Sequence, residues 1–294
     1  MAHSHIILGA GLSSAEPRIR RIGFADIKDA LRLGTRDFLE MPTHAMFLCL
    51  IYPIVGLLTA RLAFGYAVLP LLYPLATGFA LIGPVAGLGL YELSRRREAG
   101  LDNSASHAFD VLRSSSFGGI VALALLLALV FGLWMAVANA LYIADFGYAP
   151  PASPAAFLHD VFTTGAGWHL IVVGNLIDLV FAIVVLTISV VSFPLLLDRD
   201  VGAALALVTS IRAVAKNPMT MALWGLIVAA LLVIGSLPLF IGLTIVVPIL
   251  GHATWHLYRK LVIADGSPRP TYRADDKTRR SAADFPAVLF PWAK

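Results

Sequence analysis

Charge is what this sequence has least of. Asp, Glu, Lys and Arg make up only 14% of its 294 residues, against roughly 25% in soluble domains. The shortage is also uneven. Between Met41 and Ser94 the only charged residues are Arg61 and Glu92, and between Phe117 and Leu197 only Asp145, Asp160 and Asp178. Between Pro218 and Leu257 there are none. No water-soluble fold of this length needs such runs, so the solvent for most of the chain is lipid. Cysteine is nearly missing too. Cys49 stands alone in an apolar run, which excludes a disulfide framework and a Cys-based metal site. There is no Walker loop, no G-x-S-x-G, no H-E-x-x-H and no C-x-x-C. Ser114-Ser-Ser116 is a helix entry rather than a nucleophile. The chain therefore reads as non-enzymatic and without a cofactor. A secretory signal is not expected either, because the Ile6–Leu12 patch is short and the basic group Arg18-Ile-Arg-Arg21 follows it.

What is present is apolar sequence, 59% of the chain. A bilayer core needs about 20 apolar residues per helix, and six stretches qualify: 44–64, 67–93, 117–143, 168–197, 219–236 and 238–261. The expected fold is an all-α membrane protein with six transmembrane helices as three hairpins. A tight turn, Gly235-Ser-Leu-Pro238, divides the last pair. The polar stretch Asp145 to Gly167, with Pro150, Pro151 and Pro154, reads as a longer loop inside the second pair. Of the 22 Lys and Arg residues, all but Arg61 fall on one side of this arrangement. Lys and Arg mark the cytoplasmic face, so both termini are expected there. The chain divides into an N-terminal segment (1–22), a membrane domain (23–263) and a C-terminal tail (264–294). Membrane orientation accounts for the basic residues, and no nucleic acid is implied.

Each hairpin is preceded by an amphipathic cytoplasmic segment. Phe24, Ile27, Leu31, Gly34 and Phe38 recur at helical spacing, with Asp26, Lys28, Asp29, Arg32 and Arg36 opposite. A second segment starts at Asp102-Asn-Ser104, good N-cap residues, and runs to Arg113. A third runs from Gly202 to Arg212. Such helices suit the headgroup layer, their basic side chains toward anionic lipid. The hairpins also rhyme, since Pro84-Val-Ala-Gly87…Tyr91-Glu-Leu-Ser-Arg95 aligns without gaps to Pro248-Ile-Leu-Gly251…Trp255-His-Leu-Tyr-Arg259. These matches suggest three repeated units of interfacial helix plus hairpin.

Few residues are candidates for a site. Asp178 is the one ionisable side chain deep in a span, roughly 15 Å from Trp168 at 1.5 Å per residue. A carboxylate there costs about 2.5–3.5 kcal/mol on insertion scales and calls for a partner or a task. Asn175, one turn away, could donate a hydrogen bond to it. A neutral Asp178 joining helices and a proton or cation relay both fit. His252 and His256 share one helix face, and His44 lies on the same side of the membrane. Two histidines four apart can hold a metal only with a further ligand, so hydrogen-bonding histidines are the expectation. The tail is polar through Ala283 and then turns apolar at Phe285, Leu289, Phe290 and Trp292, a peptide suited to docking on a partner.

At Phe193-Pro-Leu-Leu-Leu-Asp-Arg-Asp-Val201 and Ser210-Ile-Arg-Ala213…Asn217-Pro218 the chain resembles a bacterial family of integral membrane proteins filed as a domain of unknown function. The likeness includes Arg21-Ile-Gly-Phe24 and Pro84-Val-Ala-Gly87, and so spans about residues 18–262. It implies a bacterial inner-membrane location and supplies no catalytic residues. Some members carry a cytochrome c oxidase label. A haem–copper catalytic subunit needs about six intramembrane histidine ligands, whereas this chain offers at most His44, His169, His252 and His256, on two sides of the membrane. Two functions remain open. One is a non-enzymatic accessory, assembly or stabilising subunit of a larger complex, for instance a respiratory oxidase, with membrane lipids and other integral subunits as partners. The other is a small-solute or ion transporter or channel built on the repeat and Asp178.

Overall fold

The computed structural model describes residues 17–41, 56, 70, 71, 73–75, 77, 83–238, 241–264 and 269–272. Its helices are α1 (Phe24–Glu40), α2 (Gly83–Ala86), α3 (Leu88–Glu98), a 3-10 helix (Ala105–Arg113), α4 (Phe117–Phe146), α5 (Pro154–Thr163), α6 (Gly165–Ser189), α7 (Ser192–Asp198), α8 (Ala203–Lys216), α9 (Pro218–Ser236) and α10 (Leu243–Leu261).

Backbone in hydrocarbon must satisfy its own hydrogen bonds, so the long apolar runs become helices. Among the described residues three are long and apolar enough to cross a membrane: Phe117–Phe146, Gly165–Asp198 and Pro218–Ser236. They coincide with the spans expected at 117–143, 168–197 and 219–236. The second of them breaks between α6 and α7 because Pro194 has no N–H to offer the Val190 carbonyl. The expected span 44–64, with His44, Cys49 and Arg61, lies outside the described residues apart from residue 56, as does most of 67–93 before α2. The sixth, 238–261, is helical as α10 but is not among the three. Its last turn carries Arg259 and Lys260, and much of it is buried in protein. The described residues thus hold three candidate spans, and the arrangement of six in three hairpins is not shown.

The tightest packing lies at one end of the Gly165–Asp198 span and in the shorter helices around it. In the most apolar stretch of α4 and of α9 only 22% of residues are buried. By contrast, Leu93, Phe193, Leu195, Leu196, Leu197, Ala253, Leu257, Tyr258 and Leu261 are all fully enclosed. They belong to α3, α7 and α10, which together with α1, α8 and the 3-10 helix form a layer at the Lys- and Arg-bearing end. The outer faces of the spans are apolar and exposed, while this layer is a core of the kind found in soluble proteins.

Helix α1 follows the expected periodicity, and the structure corrects its expected role. Ile27, Ala30, Gly34 and Phe38 are buried against α10 rather than turned to lipid. At Gly34 a Cβ would come within 2.5 Å of the Ala253 backbone nitrogen, so the two backbones cross nearly in contact. The second amphipathic segment is a 3-10 helix, Ala105–Arg113, and the third is α8, ending at Lys216 rather than Arg212. The Asp145–Gly167 loop contains an unexpected helix, α5. Its signal was legible, because Ser153 accepts a hydrogen bond from the Ala156 N–H at 3.1 Å and Pro154 takes the first helical position, the usual N-terminal pairing.

Two short extended segments close the layer. Ile19 pairs with Val262. The Arg20 N–H donates to the Leu261 carbonyl at 2.7 Å, and the Ile263 N–H to the Arg18 carbonyl at 2.9 Å. Asn217, between α8 and α9, receives the Ile22 N–H at 2.9 Å and donates to the Arg20 carbonyl at 3.2 Å. At the other terminus, Tyr272 pairs with Ser114, so this part of the otherwise polar tail is docked.

Candidate functional site

The segments of α3 and α10 that match in sequence lie against each other. Gly251 permits the approach, since a Cβ there would come within 2.5 Å of Leu90 Cδ1. Around this crossing three networks of charged and polar groups are buried in the apolar layer, as such groups must be paired to be buried.

The first centres on Asp37 of α1. Ser94 donates its hydroxyl to Asp37 Oδ2 at 2.6 Å, and His256 Nε2 lies 2.8 Å from the same oxygen. Arg97 pairs with Asp37 Oδ1 and with Glu40. Burial pushes the Asp37 carboxyl up, but hydrogen bonds from His256 and Ser94 and the charge of His256 outweigh it, leaving it below the ordinary carboxylate value. His252 Nδ1 is 2.7 Å from Ser94 Oγ. With the serine proton engaged by Asp37, the Ser94 oxygen is free to accept from the His252 Nδ1–H. His252 Nε2 has no hydrogen-bond partner among the described residues.

The second network surrounds Glu92, whose side chain is fully enclosed. Arg95 grips it with two hydrogen bonds, Nε to Oε2 at 2.8 Å and NH2 to Oε1 at 2.7 Å. Tyr272 donates to Glu92 Oε2 at 3.1 Å, and its ring centre is 5.3 Å from the Arg95 guanidinium carbon, a cation–π contact. Burial weakens the Arg95 charge, but the Glu92 carboxylate more than restores it and raises the pKa. The tyrosine's pKa is raised by burial and by the Glu92 charge. In the third network Tyr258 donates to Asp198 at 2.6 Å and Arg259 to the same carboxylate at 3.2 Å. Arg259 also meets Glu98 at 3.0 Å, and the Trp255 indole donates to Glu98 at 2.9 Å. At the edge, Lys260 reaches Asp29 at 2.5 Å.

Sequence reasoning placed His252 and His256 on one face, and the structure brings both into the first network. They are linked through Ser94 and Asp37. Among the described residues no group of three or more His, Cys, Asp or Glu side chains could hold a metal ion. Asp37, Glu92, Glu98 and Asp198 were not singled out from the sequence. The one available signal was Glu92, a lone acid in an apolar run with Arg95 and Arg96 three and four residues on.

Asp178 and Asn175 sit on α6, far from these networks, and their expected mutual bond does not form. The Asn175 amide donates to the Ile171 carbonyl at 2.7 Å and accepts from the Tyr73 hydroxyl at 2.7 Å. Among the described residues Asp178 has no hydrogen bond. The apolar tail residues Phe285, Leu289, Phe290 and Trp292 lie outside the described residues.

Three apolar spans joined to an ion-paired layer are the anatomy of a membrane-embedded protein. Residues 72–198 match the family described as Predicted integral membrane protein (DUF2189). The match takes in α2 to α7, including Glu92, Arg95 and Asp198, and is narrower than the 18–262 resemblance read from the sequence. No curated protein and no solved structure matches the chain.

Proposed function

We propose that this integral membrane protein is a non-enzymatic accessory, assembly or stabilising subunit of a larger complex in the bacterial inner membrane. The observation that carries the reading is the contrast between its two parts. The buried acidic and basic groups of the layer are engaged with one another, so the layer reads as a rigid platform rather than a reaction site. The spans instead present long apolar faces, such as Leu125, Leu129 and Leu133 of α4 and Leu226, Val233 and Ile234 of α9, all exposed. Faces of that size suit lateral packing against other integral subunits. The gapless match between the α3 and α10 segments supports a common origin for those arms, and the basic layer supports a cytoplasmic position for both termini.

The transporter reading has one observation in its favour, Asp178 halfway along the Gly165–Asp198 span. Extraction of the tagged protein in mild detergent, followed by mass spectrometry of co-purifying chains, separates the two. A reproducible set of integral partners is expected, the respiratory oxidases being the first to look for, and it should weaken when Phe285 to Lys294 are deleted. Purification as a lone chain whose ion flux in vesicles is lost in Asp178→Asn would overturn the subunit reading. Orientation is checked separately with cysteines at Ser153 and Ser267, of which an impermeant reagent outside spheroplasts should label only the first.

A further inference from the structure

At the end of the molecule opposite the ionic layer, α4, α5 and α6 with Pro70, Tyr73 and Pro74 line a cavity of about 370 Å³, within the size range of small-ligand sites. Its walls include Trp134 and Leu141 of α4, Phe157 and Val161 of α5, and Ile171 and Gly174 of α6. The polar groups among its lining residues are already occupied. The Trp134 indole donates to the Pro74 carbonyl at 3.0 Å, the Tyr73 hydroxyl and the Asn175 amide are bonded as described, and the Tyr142 hydroxyl points to the Ala149 carbonyl at 3.5 Å. No group is left asking for a hydrogen-bonding ligand, so the space suits hydrocarbon. Its rim is apolar too, since Leu158 and Phe162 of α5 are largely exposed.

Charge selects the kind of amphiphile. From Phe117 to Asp198 there is no Lys or Arg. The ionisable residues nearest the lining in sequence are Asp145, Asp160, His159 and His169, with His169 Nδ1 2.8 Å from Asp145. A free fatty acid would bring its carboxylate beside two aspartates, with no lysine or arginine among the described residues of this end to meet it. A zwitterionic phospholipid brings no net charge and a cationic group that aspartates favour. We propose that this cavity holds one acyl chain of a zwitterionic phospholipid taken from the leaflet bordered by α5.

The test uses the full chain in phosphatidylcholine vesicles doped with phosphatidylcholine carrying a diazirine at the end of one acyl chain. After irradiation, labelled residues are mapped by mass spectrometry. Trp134 and Ala138 are buried, at 2% and 6% exposure, whereas Leu125 and Leu129 on the same helix face outward at 66% and 70%. Chain entry predicts labelling of Trp134 and Ala138 comparable to that of the outward pair. Gly174→Leu should fill the cavity, because a Cβ at Gly174 meets only Leu141 Cδ2, at 3.7 Å. Labelling of the inner pair should then fall about tenfold, the loss of roughly 1.4 kcal/mol of occupancy, with the outer pair unchanged. Val137→Phe, from the opposite wall, should do the same and decides the matter if the first variant fails to fold. Inner labelling tenfold weaker than outer in the unmodified protein, or unaffected by both substitutions, overturns the proposal. Equal labelling by a diazirine fatty acid overturns the choice of a zwitterionic headgroup.

Discussion

Replacing Glu92 with Gln is the sharpest probe of the ionic layer. The substitution keeps the shape and removes the charge. Glu92 is fully enclosed and the Arg95 side chain only 10% exposed, so the guanidinium would remain in an apolar surrounding without its hydrogen-bonded carboxylate. Geometry makes this worse. Glu92 offers two oxygens to two Arg95 nitrogens, at 2.8 and 2.7 Å, whereas glutamine offers one oxygen and turns an amide N–H₂ toward a donor. Breaking a buried pair by removing one partner costs about 3–5 kcal/mol. Arg96, 3.8 Å away, and Tyr272, which donates to Glu92 Oε2, add to the loss rather than relieve it. The double variant Glu92→Leu with Arg95→Met removes both charges at similar volume, and such replacements are typically neutral or stabilising by about 1–4 kcal/mol. Equilibrium unfolding in dodecyl maltoside titrated with SDS measures both. The expected result is a large loss for the single variant and recovery of most of it in the double. A single-variant loss below about 1 kcal/mol would mean that the pair behaves as an exposed one, and the layer would not be the closed core described.

The α1–α10 crossing should reject a side chain at Gly34. Gly34→Val is expected to cost at least the roughly 1–3 kcal/mol of an overpacked core, while Gly132→Ala, with open space around it, should be neutral or stabilising by up to about 1 kcal/mol in the same assay. The Asp37 carboxyl titrates below its ordinary value of 3.8 in the folded protein. The stability it supplies is therefore fully present above that value and lost as pH falls through the folded one. Stability should climb as pH rises toward the ordinary carboxylate value in the parent and more shallowly in Asp37→Asn. Asp178→Leu should insert at least as well as the parent, because it relieves about 2.5–3.5 kcal/mol of insertion cost and breaks no hydrogen bond among the described residues. A lower membrane yield for Leu, with Asn unaffected, would reveal a bonded partner for that carboxylate.

The spans at 117–146, 165–198 and 218–236 were legible because lipid imposes one simple rule on a long sequence window. The ionic layer was not, and the reason is the distance between partners. Asp37 meets Ser94 and His256, and Glu98 meets Trp255 and Arg259, across separations that no local period records. Each looks in sequence like an ordinary charge beside a membrane. The three amphipathic segments were correctly placed as helical, but periodicity reports only that a helix has two faces. It could not tell that the apolar face of α1 is covered by α10 rather than by lipid. Asn175 was recognised as a hydrogen-bonding residue and assigned the wrong partner, because Tyr73 is brought to it by tertiary structure alone.

The pairing of Ile19 with Val262 sets a timetable for synthesis. Translation runs at about 5–20 residues per second, so the 243 residues from 19 to 262 take roughly 12–50 s to follow. Throughout that interval the extended N-terminal segment lacks its partner, and Ile27 and Phe38 of α1 wait without the helix that will cover them. The first segment made is thus among the last to be secured. A nascent chain arrested before Leu261 would carry an unmated apolar helix at the membrane surface, a form that quality-control proteases can distinguish from the finished protein.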